Sequence, residues 1–180
     1  MFELLTDGLS HPNGWRCSMG ICGAYEARQN GAAWGTTHLL SIHRQGVTLR
    51  TMGGIPGNQH LVLTFDDTED ETAPDAPTLA HVETVCQWID TLPGEARLLV
   101  HCQQGMNRST AIGLGVLARY MPPENAGAAL HAIRPIATPN KLMVRQWDKA
   151  LELHGALSRI ARRYPCRKWR VPKPPRGSGE

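Results

Sequence analysis

Four short stretches carry apolar and β-branched residues at strand length: THLLSI (37–42), GVTLRTM (46–52), HLVLTF (60–65) and RLLVHC (97–102). The second alternates, and Gly, Pro, Asn and Asp cluster between the runs, so the pattern predicts strands separated by turns. RLLVHC has the unbroken apolar character of a central strand covered on both faces. Between 79 and 92 the period changes, with Leu79, Val82, Val85, Cys86, Ile89 and Leu92 recurring three or four apart before Pro93-Gly94. That spacing predicts an amphipathic helix. Beyond Cys102 the chain reads as helical in three runs: STAIGLGVLARYM (109–121), PENAGAALHAI (123–133) and PNKLMVRQWDKALELHGALSRIARR (139–163). Residues 1–35 are rich in Gly and yield only a short helix near 24–30. Strands interleaved with helices, then a helical C-terminal half, predict an α/β fold. Its small central sheet has about four or five strands, largely parallel, flanked by helices.

Length and composition narrow the class. A chain of 180 residues with 41% hydrophobic and 19% charged residues suits one globular domain, placed at 1–160. No stretch approaches the ~20 apolar residues of a membrane span. The N-terminus MFELLTDGLSHPNG lacks a basic flank and a long apolar run, so no secretory signal is expected and the default location is cytoplasmic. Five cysteines at irregular spacings do not form a disulfide framework. Cys17 and Cys22 lack the second pair that a zinc site needs, and Cys86 falls on the apolar face of its helix. The net charge of +3 hides an asymmetry, because residues 162–180 hold seven Lys or Arg and one acid. This basic, Pro- and Gly-rich segment, 161–180, is expected to be a flexible, solvated tail. It could meet an acidic partner, and no nucleic-acid ligand is expected.

The candidate chemistry sits in HCQQGMNRS (101–109), between a predicted strand and a predicted helix. Five residues between Cys102 and Arg108 can curl so that their amides point inward if Gly105 supplies the permissive turn. The helix that follows adds the positive end of its dipole, and Arg108 can present a planar fork to two oxygens of a tetrahedral oxyanion. Gln103, Gln104, Gly105, Met106, Asn107 and Arg108 would therefore hold a phosphate ester. The same field favours a thiolate at Cys102, which can attack the phosphorus in line and form a cysteinyl phosphate. Ser109 can donate to the sulfur when it leaves. His101 can orient the loop through a backbone bond. Gln103 and Gln104 either face solvent or help to place the attacking water. No metal and no cofactor is called for.

HCQQGMNRS resembles the H-C-x-x-G-x-x-R-S/T signature of the cysteine-based protein tyrosine phosphatases, in the compact form of dual-specificity phosphatases. The likeness extends from about 37 to about 155, with THLLSI similar to a core strand of the family and RPIATPN (134–140) similar to the segment before the last helices of compact prokaryotic members. The resemblance implies that the cysteine is the nucleophile and the arginine the phosphate clamp. It also implies an aspartate acid on a loop that follows a core strand, where LVLTFDDTEDE (61–71) stands. Asp66 and Asp67 compete for that role, and the family pattern, with the acid second in such a pair, favours Asp67. Asn140 is placed as the N-cap of the last helix, and the resemblance adds a brace for the loop.

The expected activity is hydrolysis of phosphomonoesters, first of protein phosphotyrosine, with dual specificity open and a phosphorylated protein or peptide as substrate. A catalytically silent phosphate-binding module, a sulfur-transfer or arsenate-reducing enzyme and a phosphoinositide or inositol phosphate phosphatase are the alternatives. The last is disfavoured because the loop carries no Lys or His for additional phosphates.

Overall fold

The computed structural model describes residues 15–47, 50 and 52–169. MFELLTDGLSHPNG and residues 170–180 of the basic tail lie outside them, as do positions 48, 49 and 51 of the strand expected over 46–52. Four strands make one parallel sheet: β1 (Ser18–Gly23), β2 (His38–His43), β3 (His60–Thr64) and β4 (Arg97–Cys102), in the order β1-β4-β2-β3. β4 is an inner strand, as its continuous apolar run predicts. Its register pairs Gly23 with Cys102 on one side and Ser41 with His101 on the other.

Six α-helices follow in chain order: α1 (Ala24–Trp34), α2 (Leu79–Ile89), α3 (Arg108–Ala118), α4 (Pro123–Ile133), α5 (Lys141–Ala150) and α6 (Ala156–Ala161). They divide unevenly. α1 covers one sheet face through Ala27, which packs with Cys22, Leu39 and Leu99. The larger core on the other face takes Val82, Val85 and Ile89 of α2, Ile112 and Leu114 of α3, Leu130 of α4, Trp147 of α5 and Leu157 of α6. Among the described residues no helix is long and apolar enough to cross a membrane.

The structure departs from the sequence reading at three places. β1 was not foreseen, because SMGICG is short and half of it is Gly or Ser. It becomes a strand by pairing along its whole length with β4. At Val47, inside the strand expected over 46–52, the amide bonds Arg44 O at 3.1 Å in a tight turn. The long helix expected over 139–163 is broken between α5 and α6, where Glu152, His154 and Gly155 adopt φ of 53°, 49° and 76°. α6 is started from a distance, since the buried carboxylate of Asp148 on α5 accepts from the amides of Leu157 at 2.9 Å and Ser158 at 2.8 Å. Residues 162–169 lie against α4, where Tyr164 donates to Gly127 O at 2.6 Å and Arg163 pairs with Glu124.

Candidate active site

β4 ends at Cys102 and α3 begins at Arg108, so the intervening loop turns at the carboxyl edge of the sheet, where α/β folds bind anions. Gly105 makes the turn possible. Its φ is +72°, and a Cβ there would stand 2.2 Å from the carbonyl carbon of Cys22. No other residue fits that approach of loop to β1. The turn aims the Gly105 amide at Cys102 Sγ, 3.3 Å away, and Ser109 Oγ lies 3.3 Å from the same sulfur.

The outward side of the loop is held by a second arginine. Arg134 donates from Nε to Gly105 O at 3.0 Å and from Nη2 to Gln104 O at 3.3 Å. It also forms a two-pronged pair with Glu26, at 2.9 and 2.8 Å. Glu26 in turn accepts from the Gly23 amide at 2.8 Å. Burial works against the ionised Glu26, but the bonds from Arg134 and Gly23 outweigh it and hold the carboxyl down to about 2. These bonds hold the carbonyls of Gln104 and Gly105 on the outside, while the Gly105 amide points inward to Cys102 Sγ.

The cavity in front of the loop has a volume of about 370 Å³ and is lined by Arg44, Asp66, Asp67, Thr68, Cys102, Gln103, Gln104, Asn107 and Arg108. Arg108 is buried, donates from Nη1 to Phe65 O at 3.1 Å, and has no protein partner at Nε. Gly105 and Met106 are not among the lining residues. Met106 instead accepts from the Thr138 amide at 2.9 Å, and Asn107 Oδ1 accepts from Thr138 Oγ1 at 2.9 Å.

The two candidate acids part company. Asp66 Oδ1 accepts from the Gln45 amide at 3.3 Å and lies 3.7 Å from Arg44 Nε. Asp67 Oδ1 accepts from Asn140 Nδ2 at 2.9 Å. Asn140 is buried and serves several elements: its Oδ1 caps α5 at the Met143 amide, its Nδ2 also reaches Thr68 O, and its own amide bonds Asn107 O. Glu69 and Glu71, farther along this segment, pair with Lys141 and Lys149 of α5.

His101 is fully buried. Its Nε2 lies 2.8 Å from Ser41 Oγ, which is shared with His60 Nε2 at 2.7 Å, while Nδ1 is 3.4 Å from Cys102 O. Burial drives its imidazole down to about 4, so it is neutral at pH 7. Burial likewise pushes Cys17 and Cys22 up to about 12, which keeps both as inert thiols. Sequence reasoning passed over Glu26 and Arg44, which lie in no quoted motif. Ser41 and Arg134 stood in the quoted THLLSI and RPIATPN without a role.

No family model matches the sequence. Receptor-type tyrosine-protein phosphatase V of Rattus norvegicus is 29% identical over 98 residues, which is 53% of this chain and 6% of that protein. The chain thus spans only a small part of that relative. Human tyrosine phosphatase-like serine/threonine/tyrosine-interacting protein superposes with a TM-score of 0.59 at 20% identity, over 76% of this chain and 92% of that one. Human DUSP28 gives 0.55 at 22% identity, over 76% and 94%. The phosphatase domain of Yvh1 from Chaetomium thermophilum gives 0.54 at 21% identity, over 86% and 99%. The fold is that of the tyrosine and dual-specificity phosphatases, consistent with the superfamily whose signature HCQQGMNRS resembles.

Proposed function

We propose that this chain is a metal-independent phosphatase acting on phosphomonoesters of proteins, phosphotyrosine first with dual specificity open, through a cysteinyl phosphate. The observation that carries the reading is the meeting of the Gly105 amide and the Ser109 hydroxyl on Cys102 Sγ, in the cavity that Arg108 also lines.

In the first half-reaction the thiolate of Cys102 attacks phosphorus, an S–P bond forms, and the P–O bond to the leaving group breaks. Inward amides and Arg108 hold the non-bridging oxygens as charge shifts onto them. Asp67 delivers its proton to the departing oxygen. In the second, Asp67 takes a proton from water, the water oxygen bonds to phosphorus, and the S–P bond breaks to restore the thiolate. Ser109 donates to the leaving sulfur. Neutral His101 tethers the start of the loop through Ser41. Gln103, Gln104 and Asn107 line the approach and carry no charge, which suits a singly phosphorylated group.

A silent phosphate-binding module is the second reading, favoured by the engagement of the Asp67 carboxylate with Asn140. Mixing with p-nitrophenyl phosphate separates the two. The enzyme releases nitrophenol and passes through an acid-trappable phosphocysteine that Cys102→Ser abolishes. A silent module releases none, and full turnover by Cys102→Ser removes the mechanism.

A further inference from the structure

Arg44 is the one cation besides Arg108 among the described residues that line the cavity. It stands at the end of β2, its backbone fixed by the turn to Val47, while its side chain is 59% exposed. Among the described residues its ion pair is one approach of Nε to Asp66 Oδ1 at 3.7 Å. An exposed ion pair of that length is weak and easily exchanged. Asp66 does not depend on it, because the carboxylate also accepts from the Gln45 amide and the Asp66 amide is tied to Asp75 O at 2.7 Å. The guanidinium is therefore anchored at its root, free to turn at its tip, and held at the mouth of the site that takes the reacting phosphate.

We infer that Arg44 is a specificity-determining residue that reads a second negative charge on the substrate, an acidic side chain next to the phosphorylated residue. The inference rests on the phosphatase reading above. Arg108 and the loop amides are committed to the phosphate, and the rest of the loop, Gln103, Gln104 and Asn107, is neutral. A flanking carboxylate entering the cavity meets Arg44 as its only available cation among these residues, and displaces Asp66 from Nε. Two N–H groups of the fork can then bond both carboxylate oxygens, an arrangement that Asp66 does not achieve.

The test uses phosphopeptides identical except for Asp, Asn or Lys beside the phosphorylated residue, in phosphotyrosyl and phosphoseryl versions. The full chain should favour Asp over Asn by about fivefold in kcat/KM, and Arg44→Ala should bring that ratio to about one. A loss common to both peptides cancels in the ratio. Arg44→Lys should keep part of the preference, and added salt should shrink it. Equal rates on Asp and Asn peptides, or a preference that survives Arg44→Ala, would overturn the inference. The same ratio, read as binding to Cys102→Ser by fluorescence anisotropy, decides the role of Arg44 even if wild type hydrolyses nothing, an outcome that would instead bring down the phosphatase reading.

Discussion

Asp67 Oδ1 sits 2.9 Å from Asn140 Nδ2, and the same Asn140 side chain caps α5 through its oxygen. One amide group therefore links the segment after β3 to the start of a helix made much later in the chain, and the Asn140 backbone adds a bond to Asn107 O in the loop between β4 and α3.

If Asp67 is the acid, Asp67→Asn should lower kcat by about 10²-fold or more while leaving inorganic phosphate affinity within about twofold. Asn140→Ala should also lower kcat by releasing the segment, although it removes no proton donor. Asp66→Asn should alter kcat by only a few fold. Steady-state kinetics on an aryl phosphate with a poor leaving group checks all three, and a normal rate for Asp67→Asn beside a collapsed rate for Asp66→Asn would reverse the assignment.

The Glu26–Arg134 pair should stabilise the loop between β4 and α3 in a defined pH range. Glu26 is held at about 2 against an ordinary value of 4.5, so the folded state binds fewer protons than the unfolded chain in between. The contribution is fully present above about 4.5 and is lost as pH falls towards 2. Urea unfolding of Glu26→Gln against wild type should show a gap at pH 7 that narrows steadily below pH 4.5; a gap independent of pH contradicts the pairing.

His101 should remain neutral in the folded protein until about pH 4, whereas in the unfolded chain it titrates near 6.5. Fewer protons bound when folded means that stability is highest above 6.5 and declines as pH falls through that window. His38, His43 and His60, whose imidazoles burial also lowers, act in the same direction. The His101 ring resonance in an NMR titration should stay still down to about pH 4, and a midpoint near 6.5 would show that the ring is not enclosed as described.

Gly115 on α3 meets the Trp147 ring of α5, and a Cβ there would lie 2.0 Å from a ring carbon. Gly115→Ala should destabilise the fold by about 1–3 kcal/mol despite the better helix propensity of alanine. Chemical denaturation measures it. A neutral or stabilising result would mean that α3 and α5 lie farther apart.

Much of this was readable from the chain. The run RLLVHC placed the inner strand because its residues are buried on both faces, and the Leu79 to Leu92 spacing placed α2 because one helix stripe meets the core. The loop from Cys102 to Arg108 was legible because consecutive residues build it, with Gly105 as a visible requirement. What escaped was supplied across long separations. β1 takes its identity from pairing with β4, α6 takes its first-turn partner from Asp148, and Arg134 reaches Glu26 across 108 positions of sequence. Such contacts leave no periodic trace. Between Asp66 and Asp67 the residues themselves offered adjacency alone and the resemblance favoured Asp67; the structure gives the two different partners, Arg44 and Asn140.

The dual use of Asn140 also bears on which contacts can form without it during folding. The bend from Cys102 to Arg108 takes outer bonds from Arg134 and Thr138, and Asp67 takes its bond from Asn140, so all of them wait on the stretch 134–140. A partly folded chain in which that stretch is undocked would leave the bend and the proposed proton donor unmoored together.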